Sequence, residues 1–119
     1  MTSMIAAQTR HHDAGLDQEL MKQRQMESEL GDMPNIGQEV ARLLMAAGVR
    51  SPQQLRRLGA VAAAIKIKRF RPDDPPCRSM LAGLEGAIRA VRWHTILKAE
   101  REAIWKEYVA RTIGRSVRR

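Results

Sequence analysis

The amino-acid sequence predicts an all-α protein, built as a single small domain of five or six helices. Apolar residues recur at helical spacing in each long segment, and glycine or proline marks each break. The chain has only four aromatic residues, so aliphatic side chains and methionine supply most of the core, a composition that suits helices better than sheets. With 119 residues and a hydrophobic content of 44%, the chain is long enough for one compact core.

The first thirty residues divide into an end and a helix. Residues 1–14 are polar and lack a hydrophobic period, so we predict a flexible N-terminal end. Residues 15–30 fit one extra helix that Gly31 ends. Its apolar residues form one thin stripe: Leu16, Leu20, Met21, Met26 and Leu30. Because a thin stripe buries little surface, we expect this helix to pack on the rest of the domain, across a homodimer, or on another protein.

A tight turn over Met33–Gly37 precedes the next helix, which we expect to end near Gly48. An apolar-Pro-x-apolar-Gly turn before a helix is typical of a helix-hairpin-helix unit. The N–H groups left unpaired at the helix start, with the helix dipole, form a small anion site. Two interpretations stay open, a phosphate cradle or a structural corner, and Glu39 opposes the first because its carboxylate can occupy the anion site. The residues concerned are Asn35, Ile36 and Gly37.

The third helix has the clearest start in the chain. Ser51 can cap it, a proline follows, and Gln54 completes a capping box, while Gly59 ends the helix. The next segment, residues 60–70, is ambiguous because residues 65–68 alternate like a strand. No second convincing strand exists to pair with it, so we predict a helix.

The remainder of the chain predicts a proline-rich loop over residues 71–76, a helix over 79–92, a second helix over 95–113 and a basic tail over 114–119. Ser79 is the predicted cap of the first of these helices. Gly83 and Gly86 inside it predict close approach of another backbone, since each costs about 1 kcal/mol of helix stability relative to alanine. The last helix should turn five side chains inward: Leu97, Ile104, Trp105, Tyr108 and Val109.

Charge is distributed unevenly along the chain. Residues 1–49 contain four basic and seven acidic residues, a net charge of −3, whereas residues 50–119 contain seventeen basic and six acidic residues, a net charge of +11. This asymmetry predicts a polyanion partner for the basic part or an acidic segment that folds against it; a solvated basic surface is the alternative. The cations expected to contact a nucleic-acid backbone are Arg42, Arg50, Arg56, Arg57, Lys66, Lys68 and Arg69. Such binding should be sequence-independent and salt-sensitive.

Catalytic and metal-binding patterns are not found in the sequence. The three histidines and Cys77 lack ligand spacing, so we expect no metal, and Cys77 should be a small, partly buried residue. No nucleophilic triad, carboxylate pair or phosphate loop is present, so we expect neither an enzyme nor a cofactor. Glu85 should be structural, pairing with an arginine or capping a helix. A single cysteine, no signal core and no long apolar run favour a cytoplasmic protein without a membrane span.

Four blocks of sequence, in order, resemble the C-terminal domain of TfoX/Sxy-type competence regulators. They are Met33–Gly37, Ala47–Val49, Leu55 with Leu58–Val61, and Leu81–Ile88 with Trp93. The resemblance assigns residues 31–113 to that domain. It implies a small all-helical unit related to helix-hairpin-helix folds, and a non-enzymatic role in binding double-stranded DNA or in transcription-associated regulation of natural transformation genes in bacteria. The alternative is a protein-interaction module, an adaptor or homodimer, that does not bind DNA.

Overall fold

The computed structural model describes the backbone of residues 2–117 and the side chains of residues 16–113. This part of the chain forms six α-helices and one short 3-10 turn and contains no strand: α1 Thr2–Gly31, α2 Gln38–Ala46, α3 Pro52–Leu58, α4 Ala60–Phe70, α5 Arg78–Arg89, the 3-10 turn Trp93–Thr95, and α6 Lys98–Val117. The predicted all-α fold is therefore confirmed. None of the described helices is both long and apolar enough to cross a membrane.

Helix α4 forms the centre of the domain. It packs against α2, α3, α5 and α6, so most of its circumference is covered. Ile65 and Ile67 are both buried although they lie on different sides of the helix, while Lys66 and Lys68 stay half-exposed. This surrounded helix explains the strand-like alternation in its sequence, and the prediction of a helix over residues 60–70 is confirmed.

Helix α1 is longer than the sequence predicts. The backbone of residues 2–14 is helical, whereas the sequence predicts a flexible end there and a helix beginning at Gly15. The physical reason is that this segment contains no proline and no glycine to stop a helix before Gly15. Its last turns pack on α2, with Leu30 fully buried. Because the rest projects, the radius of gyration is 18.7 Å, compared with about 13.5 Å for a compact chain of this length.

Helix α5 begins and ends earlier than predicted. Its N-cap is Cys77 in an extended conformation directly after the prolines, so Ser79 lies inside the helix and does not cap it. At the other end Ala90 adopts a left-handed conformation with φ 60°. The Ala90 N–H donates to Ala87 O (3.2 Å) and the Val91 N–H donates to Gly86 O (2.9 Å), which closes the helix at Arg89. Cys77 is exposed, which corrects the prediction that it is partly buried.

The last helix also has different limits. It starts at Lys98 after the 3-10 turn, so Leu97 lies outside the helix and is 69% exposed, where the sequence predicts it to be inward. Ile96 is buried in its place. Tyr108 is buried as predicted, and the other three predicted residues, Ile104, Trp105 and Val109, pack partly buried against the core. The helix continues to Val117, so the predicted tail of residues 114–119 is helical over its first four residues.

Candidate nucleic-acid interface

The hairpin between α1 and α2 is held by short backbone hydrogen bonds. The Met33 N–H donates to Leu30 O (3.1 Å), and the Ile36 N–H donates to Met33 O (3.2 Å). The side chains of Met33 and Ile36 are both buried in the core. The turn is therefore tight, and its two apolar side chains anchor it on the domain. This arrangement is the helix-hairpin-helix-like unit that the sequence predicts.

The start of α2 carries no capping side chain. Gly37 is the N-cap, in an extended conformation with φ −95° and ψ −176°, and as a glycine it has no side chain to bond to the first helical amides. Glu39 in the first turn is exposed and makes no hydrogen bond or ion pair with any described residue. The first-turn N–H groups of α2 therefore lack a side-chain partner, which is the condition for binding an anion at a helix start.

Asn35 has a structural task in this hairpin. Its φ is 67°, in the left-handed region that asparagine tolerates better than most residues. Its side-chain Nδ2 donates to Val91 O (2.8 Å), and its Oδ1 accepts from the Trp93 N–H (3.1 Å). The side chain thus joins the hairpin to the connection between α5 and α6. Because the side chain is engaged in these two bonds, only the backbone of Asn35 is available to contact a phosphate.

The two glycines of α5 make room for this link. A Cβ added at Gly86 would contact Asn35 Nδ2 and would lie 2.8 Å from Val91 O and 3.2 Å from Trp93 Cα. A Cβ added at Gly83 would lie 3.5 Å from Asn35 Cβ, an ordinary van der Waals contact. The close approach predicted from the sequence is confirmed: the hairpin approaches Gly83, and the backbone of Val91 and Trp93 approaches Gly86 together with the Asn35 side chain.

Arg92 is the residue at this site that sequence reasoning missed. Asn35 bonds to the residues on either side of it, Val91 and Trp93, and so fixes Arg92 beside the hairpin. Together with the hairpin residues Asp32–Gly37, Arg92 lines a shallow depression. Its side chain is exposed and pairs with no acidic group of the described chain. No local pattern signals this role, because 55 residues or more separate Arg92 from the hairpin in sequence.

Arg42, which the sequence places near the hairpin, is partly neutralised. Its Nε lies 3.2 Å from Glu27 Oε1 on α1, and the two side chains line a separate depression between α1 and α2. An exposed ion pair of this kind contributes only about 0–1 kcal/mol, so Arg42 can exchange Glu27 for another anion. Arg42 therefore lies on the surface formed by α1 and α2, outside the hairpin depression.

The other predicted cations lie outside the hairpin depression. Arg50, Arg56 and Arg57 are exposed on and before α3, and on α4 Arg69 is exposed while Lys66 and Lys68 are half-exposed. None of these six pairs with an acidic side chain within the described residues. Helices α3 and α4 pack on each other, so these cations lie on neighbouring elements.

Three acidic groups of the C-terminal half, Glu85, Glu100 and Glu102, pair with other arginines. Arg89 bonds to Glu85 (2.7 Å), as the structural interpretation of Glu85 predicts, and also to Glu100 (3.3 Å). The hydrogen bond with Glu85 raises the pKa of Arg89. Arg78 binds both oxygens of Glu102 at 2.7 Å, and this hydrogen bond lowers the pKa of Glu102. Within the described residues, no three potential ligands cluster as a metal site would require.

The fold and the hairpin define the class of this protein, which is a small all-α domain with a helix-hairpin-helix-like unit at one end. The family model of the TfoX C-terminal domain matches residues 26–108, and the chain belongs to this family. The resemblance seen in the sequence is therefore confirmed. Helix α1 extends beyond the N-terminal edge of the matched region.

Two solved structures are similar to this chain. One is the crystal structure, in a triclinic form, of an uncharacterized protein from Listeria monocytogenes, with 31% identity, a TM-score of 0.62, and coverage of 68% of this chain and 90% of that one. The other is a tetragonal form of a protein of unknown function from Listeria monocytogenes, with 33% identity, a TM-score of 0.59, and coverage of 66% and 94%. No curated protein matches this chain.

Proposed function

We propose that this domain binds the phosphate backbone of double-stranded DNA through its hairpin, without sequence preference. One observation supports the proposal above the others: Gly37, the uncapped start of α2, lines the same depression as Arg92, which has no acidic partner among the described residues. Backbone amides at a helix start and a neighbouring guanidinium are the two groups that phosphate oxygens prefer in proteins.

The cations of α3 and α4 would extend such a contact. Six cations on or just before these helices have no acidic partner among the described residues, so they carry charge that a polyanion can neutralise: Arg50, Arg56, Arg57, Lys66, Lys68 and Arg69. No exposed aromatic side chain other than Phe70 lies beside them, which favours backbone contacts over base stacking. Contacts to phosphates position a protein but do not read sequence. A role in transcription-associated regulation, which the family resemblance implies, belongs to the same proposal.

Two acidic residues limit the expected affinity. Asp32 lines the hairpin depression, and Glu39 lies in the first turn of α2. Both repel phosphate at short range, so we expect affinity in the range of non-specific binding, with Kd of roughly 10⁻⁴ to 10⁻⁶ M at physiological salt.

The test is a fluorescence anisotropy titration against one random-sequence duplex at two salt concentrations. Arg92→Gln should weaken binding and lower the slope of log affinity against log salt by about one. Arg111→Gln is the matched control, because it removes the same charge from an exposed arginine of α6 outside the depression. Glu39→Gln should tighten binding by removing the competing carboxylate.

Two outcomes would overturn the proposal. Equal effects of Arg92→Gln and Arg111→Gln would mean that the hairpin is not the contact site. Absence of binding at low salt, for both the wild type and Glu39→Gln, would mean that the hairpin is a structural corner only.

A further inference from the structure

A groove with both apolar and polar walls runs from the hairpin across α5 toward α6. It consists of two adjoining depressions that share Ser79 and Trp93. Its walls include side chains from five elements: Ile36 of the hairpin, Val40 of α2, Met80 of α5, Trp93 of the 3-10 turn and Trp105 of α6. Trp93 remains 37% exposed, so this aromatic surface faces solvent in the single chain.

The rim of the groove is positively charged. Arg92 lies at the hairpin end, and the guanidinium of Arg101 lies 5.3 Å from the centroid of the Trp93 ring. Arg101 donates to Ile96 O (3.1 Å) and has no acidic partner in the described chain. Arg78 also lines the groove, but Glu102 offsets its charge. The groove therefore fits a segment that is both apolar and acidic.

Helix α1 carries such a segment. Leu16 and Leu20 are 54% and 50% exposed, and at a spacing of four residues they lie on one face of the helix. Asp17 and Glu19 flank this face, and neither pairs with a described residue. At 100° per residue the face lies within a quarter turn of Leu30, which is fully buried. The face that docks α1 on the domain thus continues outward, and no described residue covers it.

The groove of the same chain is out of reach of this segment. Helix α1 is continuous from Thr2 to Gly31, and Leu16 lies about 21 Å along the helix from Leu30 at a rise of 1.5 Å per residue. The leucine face cannot fold back onto the hairpin without breaking the helix. A second copy of the chain offers the same groove without that restriction.

We propose that two copies associate through a reciprocal exchange of contacts. Each α1 stays docked on its own domain at Leu30, and its Leu16–Leu20 face lies in the groove of the other copy. Asp17 and Glu19 then face Arg92 and Arg101 of the second copy, which gives the contact charge complementarity. The exchange is reciprocal and closes with twofold symmetry, so each copy buries both of its unpartnered apolar surfaces. Because Arg92 takes part, the dimer contact and duplex DNA compete for this side chain.

Disulfide cross-linking tests the identity of the contact. The background variant is Cys77→Ser, which removes the exposed cysteine beside the groove. Mixing a Leu20→Cys protein with a Ser79→Cys protein should give a covalent dimer of the two under mild oxidation, while a mixture with Arg57→Cys on α3 is the control. If Leu20→Cys protein cross-links to itself at least as well, α1 pairs with α1 and the exchange is wrong.

Charge reversal gives a second measurement, by sedimentation equilibrium, of the dimer dissociation constant. Reversing Asp17 and Glu19 to lysine should weaken the dimer tenfold or more, as should reversing Arg92 and Arg101 to glutamate. Mixing the two reversed proteins should restore association, because both contacts of the mixed dimer pair opposite charges again, one in the native sense and one reversed. A general folding defect would not be rescued in this way. A monomeric wild type at several hundred micromolar, or no recovery on mixing, would overturn the proposal. Neither readout involves DNA, so failure here leaves the DNA proposal intact.

Discussion

Replacing Gly86 with alanine should destabilise the domain, although it places a better helix former inside α5. The added Cβ would contact Asn35 Nδ2 and lie only 2.8 Å from Val91 O. One of these atoms belongs to the hairpin and the other to the backbone that closes α5. Neither can move away without breaking the Asn35 bonds to Val91 O and the Trp93 N–H.

The magnitude follows from three contributions. Alanine gains about 1 kcal/mol of helix propensity over glycine. Overpacking against fixed atoms costs about 1–3 kcal/mol. Loss of the two Asn35 hydrogen bonds costs about 1 kcal/mol each. We expect a net loss of about 2–4 kcal/mol in the free energy of unfolding, which lowers Tm by roughly 10 °C.

Gly83→Ala in the same helix is the matched control. Its Cβ would meet Asn35 Cβ at 3.5 Å, which is ordinary contact, so this variant should match or exceed the stability of the wild type by up to about 1 kcal/mol. Urea unfolding followed by circular dichroism measures both variants. If Gly86→Ala is as stable as Gly83→Ala, the space at Gly86 does not hold the hairpin in place and the reasoning is refuted.

Three further variants test the helix ends and the core. Ala90→Gly should raise the free energy of unfolding by about 0.5–1 kcal/mol, because glycine adopts the left-handed conformation at φ 60° without strain; thermal unfolding that shows a loss would contradict this. Ser51→Ala should cost about 1 kcal/mol in urea unfolding, because Ser51 Oγ accepts from the Gln54 N–H (3.1 Å) at the start of α3; an unchanged midpoint would mean that this cap contributes nothing. Burial raises the pKa of Tyr108 above 10.0. The neutral Tyr108 therefore contributes fully to the free energy of unfolding below pH 10, and this contribution is lost as the pH rises through the folded-state pKa. Tyr108→Phe should therefore lose less stability than the wild type between pH 9 and 11, and parallel curves would exclude the effect.

The parts of the fold that sequence predicts are those set by neighbours in the chain. Ser51 caps α3 as predicted, and Gln54 accepts from the Arg50 N–H (2.8 Å), so the cap residues act within a few positions of each other. The sequence predicts helix α4 only because no second strand exists to pair with residues 65–68. Since the helix is buried on several sides, its apolar residues show no clear helical period. The hairpin follows from its own five residues, which supply the proline, the buried side chains and the glycine.

The parts that sequence could not predict depend on contacts between distant segments. Arg92 reaches the hairpin only because Asn35 bonds to its two neighbours, which lie 56 and 58 residues away. Ala90 ends α5 in a left-handed conformation that favours glycine, so no residue there signals the end of the helix. The partner of Arg42 depends on how α1 docks on α2, which the thin stripe of α1 does not specify.

The link from Asn35 to the segment after α5 also sets an order of events during synthesis. The hairpin leaves the ribosome well before Val91 and Trp93, whose backbone groups complete it across 56 and 58 residues. Closing a loop of this length carries an entropic cost, which the docking of α5 must offset. Until then no hydrogen bond to Val91 or Trp93 stabilises the left-handed conformation of Asn35. Nascent chains that have not yet extended to Trp93 therefore lack at least one of the two hydrogen bonds that complete the hairpin.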